Sequence, residues 1–299
     1  GEVASAVESA VDMGYRHIDC AFVYDNEAEI GTAFHRLVSS GSVSRKDLWI
    51  TSKLWNDSHH PENVAPALKK TLTDLQLDYL DLYLVHWPIA HRPGVLRPER
   101  GEDFLSLQEI PYEETWGAME ACVDAGLCRH IGVSNCSLPR LQRLIDASRI
   151  TPSVNQVESH PFLQQQQLLQ FCQSQGIALT AYSPLGSPAR PERLVHEEEP
   201  DLLGNSVIGE IAENHSATPG KILLAWATQR GTIAIPKSVR ADRQRENLEA
   251  AELELTAEEM ELIGNLDQGF RFIDGSFWEM PGSPYTRAEL WEDETVGKP

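Results

Sequence analysis

Leu80-Asp-Leu-Tyr-Leu-Val-His-Trp-Pro88 holds four consecutive apolar residues, Leu82 to Val85, that run straight into His86. A strand with one wet face alternates apolar and polar positions; an unbroken apolar body is what a parallel strand covered on both faces requires. The same design recurs along the chain. The pattern predicts strands at His17–Ala21, Leu48–Leu54, Leu82–His86, His130–Asn135, Val154–Glu158, Ala178–Pro184 and Thr232–Lys237, with helical stretches between them. Regular alternation of strand and helix means a parallel sheet with crossover helices. Polar residues gather at the C-terminal ends: Asp19, Lys53, His86, Ser134, Asn135, Gln156, Glu158, Tyr182 and Lys237. An α/β barrel builds its active site at that end of its strands. No Gly-x-Gly-x-x-Gly follows any strand, which argues against a doubly wound sheet. The expected fold is therefore a (β/α)8 TIM barrel, a single domain over residues 1–299. Seven strands follow a leading helix, so the first strand is expected to lie upstream of Gly1.

Composition narrows the function. Of 299 residues, 25 are basic and 45 acidic, giving a formal net charge of −20. Such a field repels phosphodiesters and anionic lipid, so neither nucleic acid nor a membrane is an expected partner. The longest uncharged apolar run, Ile222 to Thr228, is far short of a membrane span. Five scattered cysteines form no Cys-x-x-Cys pair, which fits a reduced, cytoplasmic protein. A monomer is expected. Two connections, Trp87–Pro111 and Leu185–Gly204, are long enough to be lids or disordered. Residues 268–299 lack helical period yet carry Phe270, Phe272, Phe277, Trp278, Tyr285 and Trp291, too many aromatics for a solvated tail. They are expected to fold back and help form a substrate pocket.

Chemistry follows from the strand ends. Asp19 and Lys53 close two successive strands and Tyr24 lies in the loop after the first, so all three can converge at one barrel mouth. A buried lysine needs a partner, and Asp19 is available. A phenol is a weak acid, with a pKa of ~10, and a neighbouring ammonium is expected to lower that value and make Tyr24 a tuned general acid. Taken singly, each residue reads as an ion pair, a packing ring or a satisfied core histidine. His17 opens its strand and reads as structural. The adjacent His59 and His60 lack a third ligand at metal spacing and read as solvated loop histidines, so no metal site is expected. Lys237, Arg240, Arg243 and Arg245 cluster against one acid, Asp242, at a strand end and helix start, a local site for an anion in a strongly acidic chain.

Four segments, Gly14-Tyr-Arg-His-Ile-Asp-Cys-Ala-Phe-Val-Tyr-Asp-Asn-Glu27, Leu80 to Pro88, Ile131-Gly-Val-Ser-Asn135 and Ile235-Pro-Lys-Ser238, together resemble the aldo-keto reductases, in order and with family-like spacing from Gly1 to about Asp267. The resemblance implies reduction of aldehydes or ketones, including open-chain aldoses, by NADPH. It implies a tetrad of Asp19, Tyr24, Lys53 and His86, in which Tyr24 protonates the carbonyl oxygen and His86 orients it. Ser134, Asn135 and Gln156 would hold the carboxamide and Tyr182 would stack under the nicotinamide. Ser183, Leu185 and Ser187 would cover the pyrophosphate. Lys237, Ser238 and Arg243 would hold the 2′-phosphate, with Glu246 and Asn247 on the adenine. Trp55, His86 and Trp87 would line the substrate pocket. Three positions depart from the family pattern: Ala189 stands where an acidic residue often latches the loop over the cofactor, Cys136 where Phe is common, and Arg240 where a small polar residue is common. Other readings of the residues are a metal-dependent barrel hydrolase using Asp19 and His86, and a cofactor-binding relative without turnover.

Overall fold

The computed structural model describes residues 1–188, 190–195 and 198–292. They form two compact units, residues 1–155 with 276–292, and residues 156–275. In the first unit, helix α1 (Glu2–Met13) ends at Gly14, whose φ of 116° suits only a residue without a side chain. β1 (His17–Asp19), α2 (Glu27–Ser39), β2 (Trp49–Leu54), α3 (Pro61–Leu75) and β3 (Leu80–Val85) then alternate as the sequence predicts. A short antiparallel hairpin of β4 (Ala90–His91) and β5 (Phe104–Leu105) follows, then α4 (Tyr112–Asp124), β6 (Cys128–Ser134) and α5 (Leu138–Ala147). β1, β2, β3 and β6 are parallel neighbours in that order. Every residue of β3 is buried, as its apolar run requires. β7 (Val154–Glu158) carries the chain into the second unit.

There α6 (Gln166–Ser174), β8 (Ala178–Tyr182), α7 (Ser206–Asn214), α8 (Pro219–Gln229), β9 (Ile233–Ala234), α9 (Ala241–Glu249) and α10 (Ala257–Gly264) follow, with β8 and β9 parallel. The unit's core packs Phe162, Leu202, Ile208, Ile211, Trp226 and Phe272 together. The chain then returns to the first unit and ends its described course in α11 (Arg287–Trp291).

Outside the hairpin, seven strands among the described residues alternate with helices behind a leading helix, as read from the sequence, though their ends differ. β9 is two residues long where six were expected; Ile235 still donates to Ala181 O at 3.2 Å, and Pro236, with no N–H, stops the ladder. The connection Trp87–Pro111 is an ordered strap rather than a loose loop. Its hairpin is tied to the tail by Tyr285, whose hydroxyl donates to Leu105 O at 2.6 Å and accepts from Ala90 N at 2.9 Å. At Gly101 an added Cβ would lie 2.1 Å from the carbonyl carbon of Gly282, so the two backbones touch and Gly101 has no room for a side chain. Arg140 donates to Glu289 O at 3.0 Å, and Ser137 donates to Glu292 Oε2 at 2.5 Å. These bonds seat α11.

Candidate active site

Strand register assembles the site. Asp19 sits opposite Thr51, Lys53 opposite Leu84, and His86 N donates to Leu54 O at 3.1 Å, so three adjacent strands end with their polar residues side by side. Lys53 is 0% exposed, and its ammonium donates to Asp19 Oδ1 and, at 2.8 Å, to Cys20 O. Burial works against its charge, but Asp19 and then Tyr24 more than offset that, and its pKa is raised. Lys53 stays an ammonium.

Tyr24 lies in the single 3-10 turn after β1, with Lys53 Nζ 5.3 Å from its ring centroid and the His86 ring 6.1 Å away, edge to face. The sequence leads one to expect a lowered phenol pKa, and the structure reverses this. Burial around the phenol raises it, Lys53 lowers it, Asp19 raises it, and the net direction is up. The residue as a whole is 52% exposed, yet burial is the largest influence on its phenol. Desolvation outweighs the neighbouring ammonium, whose effect Asp19 partly cancels.

His86 is held well below the ordinary imidazole pKa by burial first and the charge of Lys53 second, so it is neutral, and its Nδ1 has no hydrogen-bond partner among the described residues. Asn135, at φ 55°, donates through Nδ2 to His86 O at 3.0 Å and reaches the Ser134 hydroxyl at 3.3 Å. Trp55 stands edge-on to His86 at 5.2 Å and is pinned by Nε1 donating to Leu96 O at 2.8 Å. Trp87 meets Phe277 at 5.7 Å and Trp278 at 5.8 Å. Trp55, Trp87 and the tail residues Phe277 and Trp278 thus form one aromatic wall.

In the second unit, Gln156 is buried and Tyr182 half-buried at the end of β8. Ser183 and Ser187 take positive φ, 49° and 52°, in a turn closed by Gly186 N donating to Ser183 O at 2.9 Å, and Leu185 packs on the unit's core. Ala189 lies outside the described residues. Arg190 organises the following segment by donating to Leu194 O at 3.1 Å and pairing with Glu199. Between β9 and α9, Arg240 is paired with Asp242, whereas Lys237 and Arg243 are exposed and make no ion pair among the described residues. Ser238 accepts from Arg240 N at 3.1 Å. Glu246 is already engaged, accepting from Thr218 Oγ1 at 2.5 Å, and Asn247 is half-buried beside it on α9.

Two histidine readings separate here. His17 is structural, its Nε2 3.0 Å from Thr51 Oγ1. His59 is not solvated: it is buried, which pushes its pKa down to about 3, and its carbonyl accepts from Thr115 at 2.8 Å. It stays neutral. Among the described residues no three His, Cys, Asp or Glu side chains converge as metal ligands.

The aldo/keto reductase family matches residues 1–268. The chain belongs to this family. The aldo/keto reductase slr0942 of Synechocystis is 54% identical over 291 residues, 97% of this chain and 89% of the relative. Aldo-keto reductase family 1 member A1 of Gallus gallus is 46% identical over 275 residues, 91% and 84% of the two chains. The solved aldose reductase of Schistosoma japonicum superposes with a TM-score of 0.84 at 40% identity, covering 93% of this chain and 88% of that one. The fold class of this aldo-keto reductase is accordingly the (β/α)8 fold, its function lies in carbonyl oxidoreduction on small molecules, and a nicotinamide cofactor goes with the family. No described helix is long and apolar enough to cross a membrane.

Proposed function

We propose that the protein reduces aldehydes and ketones, aldoses among them, to alcohols with NADPH, Tyr24 acting as general acid. The observation that carries this reading is the buried Lys53 ammonium, paired with a partly buried Asp19, set beneath Tyr24 and beside a neutral His86. A lone ion pair is a structural feature; one that ends on a half-open phenol has something to act on. The chemistry NADPH supplies when bound is a hydride for the carbonyl carbon. Tyr24 holds its proton across the physiological range because its pKa is raised, and gives it to the oxygen as that atom gains alkoxide character, far more basic than a phenolate. Lys53 stabilises the phenolate left behind, and Asp19 keeps Lys53 charged. His86, neutral, donates one N–H to orient the carbonyl oxygen. The aromatic wall excludes water.

The residues present fit a phosphorylated dinucleotide: two exposed cations, Lys237 and Arg243, with no ion pair among the described residues, flank the start of α9 in a chain of net charge −20. Lys237, Ser238 and Arg243 would hold a 2′-phosphate, which favours NADPH over NADH. Glu246 and Asn247 would meet the adenine, Ser183, Leu185 and Ser187 the pyrophosphate, and Ser134, Asn135, Gln156 and Tyr182 the nicotinamide. The barrel domain is proposed to span residues 1–299, with 268–299 as substrate-pocket tail, of which 293–299 lie outside the described residues. Five buried cysteines, none in a disulfide, fit the reducing cytoplasm as location. NADPH oxidation followed at fixed enzyme concentration with short, aromatic and sugar aldehydes tests the proposal. Turnover of at least one class is expected; NADPH binding without turnover of any would overturn it.

A further inference from the structure

Glu27 is the first residue of α2, three positions after Tyr24, and is almost completely buried. Its Oε1 accepts from Ser52 Oγ at 2.5 Å and its Oε2 accepts from Thr71 Oγ1 at 2.9 Å. Ser52 and Thr71 are themselves buried, Ser52 next to Lys53 on β2 and Thr71 on α3. One carboxyl group therefore ties the start of α2 to the strand that carries Lys53 and to the helix after that strand. The usual fastening of a helix start is missing: Asn26 occupies the N-cap but makes no capping bond. The turn in front is a single one, closed by Tyr24 N to Ala21 O at 3.0 Å and Asp25 N to Phe22 O at 3.1 Å, with Asp25 in the left-handed region at φ 54°.

That turn has to place a ring that packing does not hold, since half of Tyr24 is open to solvent. Its position depends on the backbone at either side. On the N-terminal side Cys20 N donates to Thr51 O at 2.8 Å and continues the strand pairing. On the C-terminal side the fastening to β2 and α3 is Glu27, while Glu29 in the same turn ties α2 to α1 by accepting from Ala4 N at 3.0 Å. We propose that Glu27 is a positioning residue for the reaction, clamping α2 to Ser52 and Thr71 so that the Tyr24 hydroxyl stays over Lys53. The proposal rests on the reading of Tyr24 as proton donor. Misplacing a reacting group by about 1 Å can cost on the order of 100-fold in rate, and Glu27 is the brace against such a shift.

A two-by-two set of variants tests this: wild type, Glu27→Gln, Tyr24→Phe and the double variant, each in single-turnover reduction of an aldehyde with saturating NADPH, with NADPH affinity from fluorescence titration. In Glu27→Gln the amide nitrogen donates where a carboxylate oxygen accepts, so one of the two hydroxyls has to give up its donated bond and turn its proton elsewhere inside a buried site. The expected result is a roughly 10- to 100-fold slower step in Glu27→Gln, with NADPH affinity unchanged and no further loss when the change is made on Tyr24→Phe, because the brace has nothing left to place. The same loss in both backgrounds would mean a general structural role and overturn the proposal, as would a wild-type rate in Glu27→Gln. Near-wild-type turnover by Tyr24→Phe alone would instead overturn the proton-donor reading itself, and the proposal with it. Should Glu27→Gln not fold, Ser52→Ala and Thr71→Val, each removing one donor, are read by the same rule.

Discussion

The site's chemistry turns on two hydroxyl and amine protons whose energies are set by burial. Tyr24→Phe keeps the ring against Lys53 and His86 but removes the proton, so the hydride step is expected to slow by roughly 10²- to 10⁴-fold while NADPH still binds. Single-turnover rates check this, and a rate within a few-fold of wild type would refute the assignment. Because the phenol's pKa is raised above 10.0 and the imidazole's is depressed well below 6.5, neither group changes charge between about pH 6 and 9. Reduction should be level across that range and fall only at more alkaline pH, as Tyr24 loses its proton. Lys53→Met deletes the influence that lowers the Tyr24 pKa, so its alkaline limb should move further up while the rate drops. A limb moving down would show that Lys53 does not act on the phenol. None of this direction was legible in the sequence. Asp19, Lys53 and His86 could be placed at neighbouring strand ends from periodicity, but the balance of desolvation against one already paired ammonium exists only in three dimensions.

At the level of elements, strands were the legible part and their connections were not. β3 declares itself by four apolar residues in a row, a local pattern; the β4–β5 hairpin is set by Tyr285, 195 residues beyond Ala90, and no local pattern encodes such a contact. His59 misleads for the same reason: next to His60 it looks like a wet loop, yet α4 covers it through Thr115. The Tyr285 strap gives an expectation of its own. Tyr285→Phe removes the two hydrogen bonds that join the hairpin to the tail, each contributing about 0.5–1.5 kcal/mol, so melting should fall by a few degrees and KM for bulky aldehydes should rise. Thermal unfolding and steady-state kinetics report both; an unchanged melting temperature would show that the strap is not held by this hydroxyl. The β9–α9 connection invites a separate test. Arg243 is exposed, so its contact to a phosphate would be partly screened, and Arg243→Ala should weaken NADPH on the order of 10-fold while leaving NADH nearly unchanged. Equal losses for the two cofactors would show that no 2′-phosphate is read there.

The whole molecule carries 20 negative charges in excess, and that has to act on stability apart from any site. Like charges held on a folded surface repel more than they do along an expanded chain, so the excess opposes folding. Salt screens this repulsion, shortening the Debye length from about 30 Å at 0.01 M to about 8 Å at 0.15 M. Salt also weakens attractive pairs, and the two effects compete. Attractive pairs open to screening, such as Arg100 with Glu102 and Arg149 with Asp124, are exposed and each contributes only about 0–1 kcal/mol. Lys53 with Asp19 is buried and is screened much less. Repulsion therefore has more to lose than attraction. The melting temperature should rise by a few degrees between about 10 and 150 mM sodium chloride at pH 7. Thermal unfolding across a salt series at fixed pH measures this directly. A melting temperature that fell with salt would mean that the surface pairs, and not the charge excess, dominate the electrostatics of this fold.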